Sequence, residues 1–192
     1  MAGIGHVAVG MAAARWADQP ASGRGRIAAA MAGWPLLSML PDADVVGLYL
    51  GVPYGSAWGH RGATHSLVFA LIAGTVVAVV ARARGRSVLR VAILATLVVA
   101  SHGVLDTLTD GGRGCALLWP FDDTRYFAPV NPIPVSPIGL RVLSPRGLYV
   151  AAFELLLFAP LFAYAWWPRT NRRPAVARAA PRAEDKAGAS WQ

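Results

Sequence analysis

Residues 147–167, GLYVAAFELLLFAPLFAYAWW, run for 21 positions with one ionisable side chain, Glu154. At 1.5 Å per residue a helix of that length covers about 31 Å, the depth of a bilayer's hydrocarbon core. The closing AWW is the kind of aromatic anchor found where a span meets the headgroups. Four further apolar segments precede it, at 3–17, 27–40, 66–81 and 91–106. The first two fall short of the roughly 20 residues of a full crossing and read as a tilted or shielded hairpin. Apolar residues make up 55% of the chain, and charged ones 15% against the roughly 25% usual in soluble domains. These features predict an all-α fold, a polytopic membrane bundle of about five helices.

The net charge of +8 is unevenly placed, and 17 of the 18 basic residues are arginines. If the five segments cross in turn, one side receives Arg15, Arg24 and Arg26, then Arg82, Arg84, Arg86 and Arg90, then the cations after Trp167. The other side keeps Arg61, Arg113, Arg125, Arg141 and Arg146. The richer side is expected to be cytoplasmic. Basic clusters flanking apolar runs set topology, so no nucleic-acid partner is expected; the partner is the lipid bilayer. The N-terminus lacks a basic region ahead of its apolar stretch and is expected to remain as the first helix. Residues 1–168 are read as a membrane-embedded, metal-binding domain, and the Pro/Ala/Arg-rich residues 169–192 as a disordered cytoplasmic tail. Residues 107–146, containing PVNPIPVSPIG, read as a long irregular outer loop, which in compact proteins is more often functional than idle. The absence of an internal repeat weighs against transporters built from duplicated halves.

The same topology sorts the chemistry. His6 lies at the outer start of the first segment, and Asp42 and Asp44 follow Pro41, which should break the second. His60 and His65 precede the third segment, and His102 and Asp106 end the fourth. All four histidines and six of the ten acids, including Asp110, Asp122 and Asp123, gather on the non-cytoplasmic side, which the charge rule did not require. His102 and Asp106 are four apart on one helix face and suit joint coordination of a divalent ion, or else a helix-locking His–Asp bond. In HRGATHS the histidines are five apart, but Gly62 allows a turn, with Thr64 as the helix N-cap, that lets them converge. Asp44 reads as the cap of a helix through VVGLYL and Asp42 as the ligand. Arg61 would grip an anionic substrate, pair with Asp42, or be an ordinary interfacial arginine. Glu154 is expected to bond a neighbouring helix, and Asp110 to support the site or end a turn. The single cysteine, Cys115, excludes an internal disulfide and a cysteine-based zinc knuckle.

The motifs GIGH, LPDAD, HRGATHS, SHGVLDTLTDGG and WPF, in that order over residues 1 to 121, resemble the YdjM-like family. The resemblance implies an inner-membrane-associated, metal-dependent hydrolase; one member of the family is LexA-regulated. That family is distantly similar to the helical zinc-dependent phospholipase C and P1 nuclease group. By that likeness His102, Asp106, His60, His65, Asp42 and His6 are the metal ligands. The group's further His-rich segment has no counterpart after Asp106, which argues against a full three-metal centre.

The expected function is a membrane-bound hydrolase acting on a phosphoester or lipid-linked substrate at the outer face of the bacterial inner membrane. One or two divalent ions, zinc first and manganese or iron next, would activate water. Asp42, Asp44 and Asp106 would bridge ions or orient the water, and Arg61 would stabilise phosphoryl charge. Two rivals are a metal or proton transporter and a non-catalytic scaffold with a structural metal site. The transporter calls for ionisable groups at several depths, whereas only Glu154 lies deep.

Overall fold

The computed structural model describes Met1, residues 3–17 and residues 24–167. Among them are seven α-helices and no named strand, so the all-α expectation holds. Helices α1 (Ile4–Ala17) and α2 (Arg24–Ser38) pack as the expected hairpin. They approach closely because Gly10 has no side chain: a Cβ there would meet Pro35 Cα at 2.5 Å. Pro41 ends the second apolar segment as expected, in a 3₁₀ turn (Leu40–Asp44) that leads into the short α3 (Val45–Tyr49).

The longest pair, α4 (Leu67–Ala83) and α5 (Val88–Thr107), lie against each other through small residues. Ser66 is the N-cap of α4, its hydroxyl accepting from Phe69 N–H, so the cap expected of Thr64 sits two residues later. Buried Ala70, Ala73 and Val99 form one core cluster, and Ala13, Ala14, Trp34, Ala95 and Val98 join α1, α2 and α5 in another. The large apolar side chains point outward instead, among them Leu71, Ile72, Val76 and Val79 of α4 and Leu89, Ile93 and Leu97 of α5. Alanine inside and leucine outside suits helices that associate in lipid, where close backbone approach replaces a hydrophobic driving force.

The last apolar segment is not the single helix expected. It breaks at Phe158 into α6 (Pro145–Leu157) and α7 (Ala159–Trp166), which diverge by 58°. Pro160, in the first turn of α7, has no N–H to continue the ladder, and its ring crowds the preceding turn. By length and composition α5 alone among the described residues is long and apolar enough to cross a bilayer, with the bent α6–α7 pair as a second span if counted as one. Five complete spans are therefore not seen. Only 28% of the apolar stretch of α5 is buried, unlike the core helix of a soluble protein.

Residues 107–146 are irregular, as expected, but tied down. Isolated bridges join Thr109 to Ile133 and Cys115 to Tyr126. Asp110 accepts the Val135 N–H at 2.6 Å. Asp122 accepts from Thr124 N–H and the Tyr126 hydroxyl. A 3₁₀ turn (Gly139–Leu143) leads to α6, where Ser144 caps the helix by accepting from Gly147 N–H. The tail expected at 169–192 lies outside the described residues.

A candidate metal centre

Four chain segments meet at one end of the bundle. The ligand atoms of Asp42, His65, His102 and Asp106 all lie within 4.8 Å of one another, although the residues come from three distant places in the chain. His102 and Asp106 occupy successive turns of α5 and are buried. His65 reaches them because its loop presses on the helix at Gly103, where a Cβ would lie 2.3 Å from His65 O. The 3₁₀ turn at Pro41 aims Asp42 at the same point.

Hydrogen bonds at Nδ1 set which nitrogen His102 and His65 present. His102 Nδ1 is 2.7 Å from the carbonyl oxygen of Ser38; a carbonyl only accepts, so Nδ1 carries the proton and Nε2 the lone pair. That Nε2 is buried without a hydrogen bond and faces Asp42 Oδ1 at 3.3 Å. His65 Nδ1 is 3.1 Å from the Thr64 hydroxyl oxygen, whose hydrogen goes to Asp44 Oδ2, and its buried Nε2 stands 3.6 Å from both Asp42 Oδ1 and Asp106 Oδ2. Neither Nε2 makes a hydrogen bond, and both face carboxylate oxygens, an arrangement that a shared cation would complete. Two imidazoles and two carboxylates fit a divalent ion such as zinc, manganese or iron.

Without an ion the carboxylates act on His65 instead. Burial disfavours its charged form, but Asp106, Asp42 and Asp44 outweigh burial and raise its pKa to about 10. Burial likewise works to raise the pKa of Asp42, and the imidazoles of His102 and His65 beside it override burial, holding the carboxyl well below its usual range. Asp44 is held low against the same opposition by His60, His65 and Thr64.

The other predicted residues take more varied places. His60 and Asp44 form a second group with His65, all three donor atoms within 4.8 Å. The convergence of His60 and His65 expected from Gly62 is present, their rings perpendicular with centroids 5.6 Å apart. Asp44 does sit at the N-cap position of α3 but makes no cap bond there; its oxygens accept from His60 Nδ1, Arg61 N–H and the Thr64 hydroxyl. His6 stacks on His102 at 3.6 Å, with its Nε2 3.5 Å from Asp106 Oδ1. Glu154 lies fully buried in α6 and accepts the Gly5 N–H at the start of α1 at 3.1 Å, the helix-to-helix bond expected of it. Asp110, Asp122 and Asp123 belong to neither group.

Arg61 is buried, and its partner is Asp106, not Asp42. Its Nε lies 3.1 Å from Asp106 Oδ2, and its Nη1 donates to Thr109 Oγ1 and Gly111 O, each at 3.0 Å. Its φ of 64° places a non-glycine residue in the left-handed region. In this conformation its N–H reaches Asp44, while its carbonyl accepts from Ala116 N–H and its guanidinium passes to α5. The sequence reading also missed Ser38, Thr109 and Tyr54. Nothing in single-residue chemistry marks Ser38, because it works through its carbonyl and because its hydroxyl bonds His6 O.

A cavity of about 270 Å³ opens on this cluster. Asp42, His60, Arg61, Asp106 and Tyr54 line it together with the 135–139 stretch of the long loop.

The family model for the YdjM inner membrane protein matches residues 1–173. A curated relative, the inner membrane protein YbcI of Escherichia coli (strain K12), is 41% identical over 140 residues, covering 70% of this chain and 81% of the relative. No solved structure gives a significant match. With its motifs matched in order and a relative at that identity, the chain belongs to the YdjM family of inner membrane proteins.

Proposed function

We propose that this inner-membrane protein is a metal-dependent hydrolase that holds one divalent ion between Asp42, His65, His102 and Asp106, with His6 and Arg61 flanking it. The observation that carries the reading is the pair of buried Nε2 atoms on His65 and His102, without hydrogen-bond partners, facing the carboxylates of Asp42 and Asp106. A transport path or a fully bonded scaffold leaves that pairing unexplained. A bound ion would supply Lewis-acid chemistry at an oxygen of the substrate. The chain's own residues bind and orient: Asp42 and Asp106 line the cavity, and Arg61 holds Asp106 in place. The substrate class is a phosphoester, lipid-borne or lipid-linked, entering beside the exposed apolar side chain of Ile138, which lines the cavity.

The reading includes a multi-pass topology with residues 1–168 embedded, the site outside and the tail in the cytoplasm. It is supported by Arg15, Arg90, Trp16, Tyr164 and Trp167, which collect at the end opposite the histidines. Arg90 lies over the Trp16 ring at 4.7 Å and Arg15 over Tyr164 at 5.1 Å. Reporter fusions after Arg86 and within 122–140 are expected on opposite sides; the same side for both would refute the topology.

The chemistry is tested on protein purified in detergent, by elemental analysis of wild type, His102→Ala and Asp106→Ala, followed by hydrolysis of phospholipids and bis(p-nitrophenyl) phosphate. Stoichiometric zinc, manganese or iron in wild type alone is expected. Wild-type protein that retains none after gentle preparation would end the proposal.

A further inference from the structure

We infer that His60 and Asp44 are not the ligands of a second ion but a His–Asp dyad, which turns His60 Nε2 into the cavity as the proton-transferring group of the site. The inference rests on the metal reading above and adds a residue that ion binding does not itself require.

Three observations carry it. First, the two candidate groups share His65. Its Nε2 faces Asp42 and Asp106, and its Nδ1 faces Asp44. A neutral imidazole has one lone pair, so filling the first group leaves a proton on Nδ1, which the Thr64 hydroxyl oxygen accepts while giving its own hydrogen to Asp44. Both groups cannot be filled through a neutral His65. Second, Asp44 is already occupied. Oδ1 accepts from His60 Nδ1 at 2.7 Å, and Oδ2 from the Arg61 N–H at 3.1 Å and the Thr64 hydroxyl at 2.7 Å. Those hydrogens stand where a cation would have to approach. Third, donating Nδ1–H to Asp44 fixes the tautomer of His60 and leaves its lone pair on Nε2. His60 lines the cavity, and no hydrogen bond to Nε2 is found among the described residues. The rings of Tyr54 and His65, both nearly perpendicular to that of His60, hold its plane.

Asp44 is thus a positioning residue and His60 the group that meets the substrate. In phosphoester hydrolysis, water oxygen bonds to phosphorus as the bond from phosphorus to the leaving oxygen breaks. His60 Nε2 takes the proton released by the water and returns it to the leaving oxygen, so the imidazole ends unchanged.

The test uses the full chain in detergent, with cobalt(II) alone as the binding probe. His60→Gln is expected to bind cobalt with wild-type stoichiometry and an unchanged visible spectrum, while His102→Gln loses the ion. Diethyl pyrocarbonate followed by mass spectrometry, which needs no variant to fold, is expected to modify His60 in cobalt-loaded wild type and to spare His6, His65 and His102. Hydrolysis of bis(p-nitrophenyl) phosphate is expected to fall about 10²–10⁴-fold in His60→Gln, the range typical of a lost acid–base group. Loss of cobalt or an altered spectrum in His60→Gln would overturn the dyad, as would an unmodified His60. Wild type that binds no cobalt would fail the metal reading instead, and wild type that binds cobalt without turnover would fail the hydrolase reading and the proton-transfer role with it.

Discussion

The two ends of the bundle both concentrate charged side chains but use them differently. At the end where Trp16, Tyr164 and Trp167 collect, arginines lie over aromatic faces and donate to backbone carbonyls: Arg90 to Trp16 O, and Arg15 to Ala165 O and Trp167 O. Such contacts anchor a helix end at an interface and tolerate water around them. At the other end Asp44, His65, His102 and Asp106 are buried, and each has at least one atom committed to orienting a neighbour. Yet the Nε2 atoms of His65 and His102 are left without a hydrogen bond. Anchoring needs only that charges find partners. A binding site differs in that its partners are arranged to leave chosen atoms open.

The contrast can be broken most sharply at Asp106. Asp106→Ala leaves the Arg61 guanidinium buried without its carboxylate, and loss of one partner of a buried pair costs roughly 3–5 kcal/mol. Chemical denaturation of the metal-free protein in detergent should show that loss along with failure to bind cobalt. Unchanged stability would mean the buried pair contributes nothing.

Asp44→Asn removes no proposed ligand but releases the Nδ1 side of His65 and His60. Metal affinity is expected to fall about 10–100-fold, the usual cost of losing a carboxylate that orients a ligating histidine. Isothermal titration with zinc measures it, and an affinity within twofold of wild type would remove Asp44 from the site.

Acidity should act in opposite senses on the metal-free and metal-loaded forms. The pKa of His65 is raised from 6.5 to about 10 without metal, so its stabilising charge is fully present below about pH 6.5 and lost as pH rises through about 10. Metal-free protein should therefore weaken across that window. Metal affinity should increase over the same range, because Nε2 must shed its proton to bind. Thermal melts with and without zinc at a series of pH values give both trends, and parallel trends would contradict the assignment.

The smallest effect belongs to the opposite end. Arg90→Ala removes an exposed cation–π contact and a carbonyl bond at Trp16, at a cost of about 0.5–1 kcal/mol, with metal affinity unchanged. A loss of metal binding in this variant would show that the two ends are coupled.

Much of this arrangement is legible in the residues. Apolar runs place helices α1, α4 and α5 to within a few positions, because a stretch that cannot be hydrated must satisfy its backbone internally. The spacing of His102 and Asp106 puts them on one face whatever surrounds the helix. The break at Phe158 was less visible, since apolar composition continues through it while Pro160 removes one N–H from the ladder. Arg61 was harder still. Its side chain suits a substrate anion, and only the packing of its loop against α5 turns it inward to Asp106.

What the sequence determined by itself was the inventory and its segregation: helices from apolar runs, one basic end, and imidazoles and carboxylates at the other. These follow from solvation of each segment, which depends on local composition. The tertiary structure alone decided which nitrogen of His102 and of His60 is free. Ser38 O sets it for His102 and Asp44 for His60, through bonds between residues 64 and 16 positions apart. A tautomer is chosen by whatever acceptor packs against the ring, and that acceptor is brought there only when the helices close.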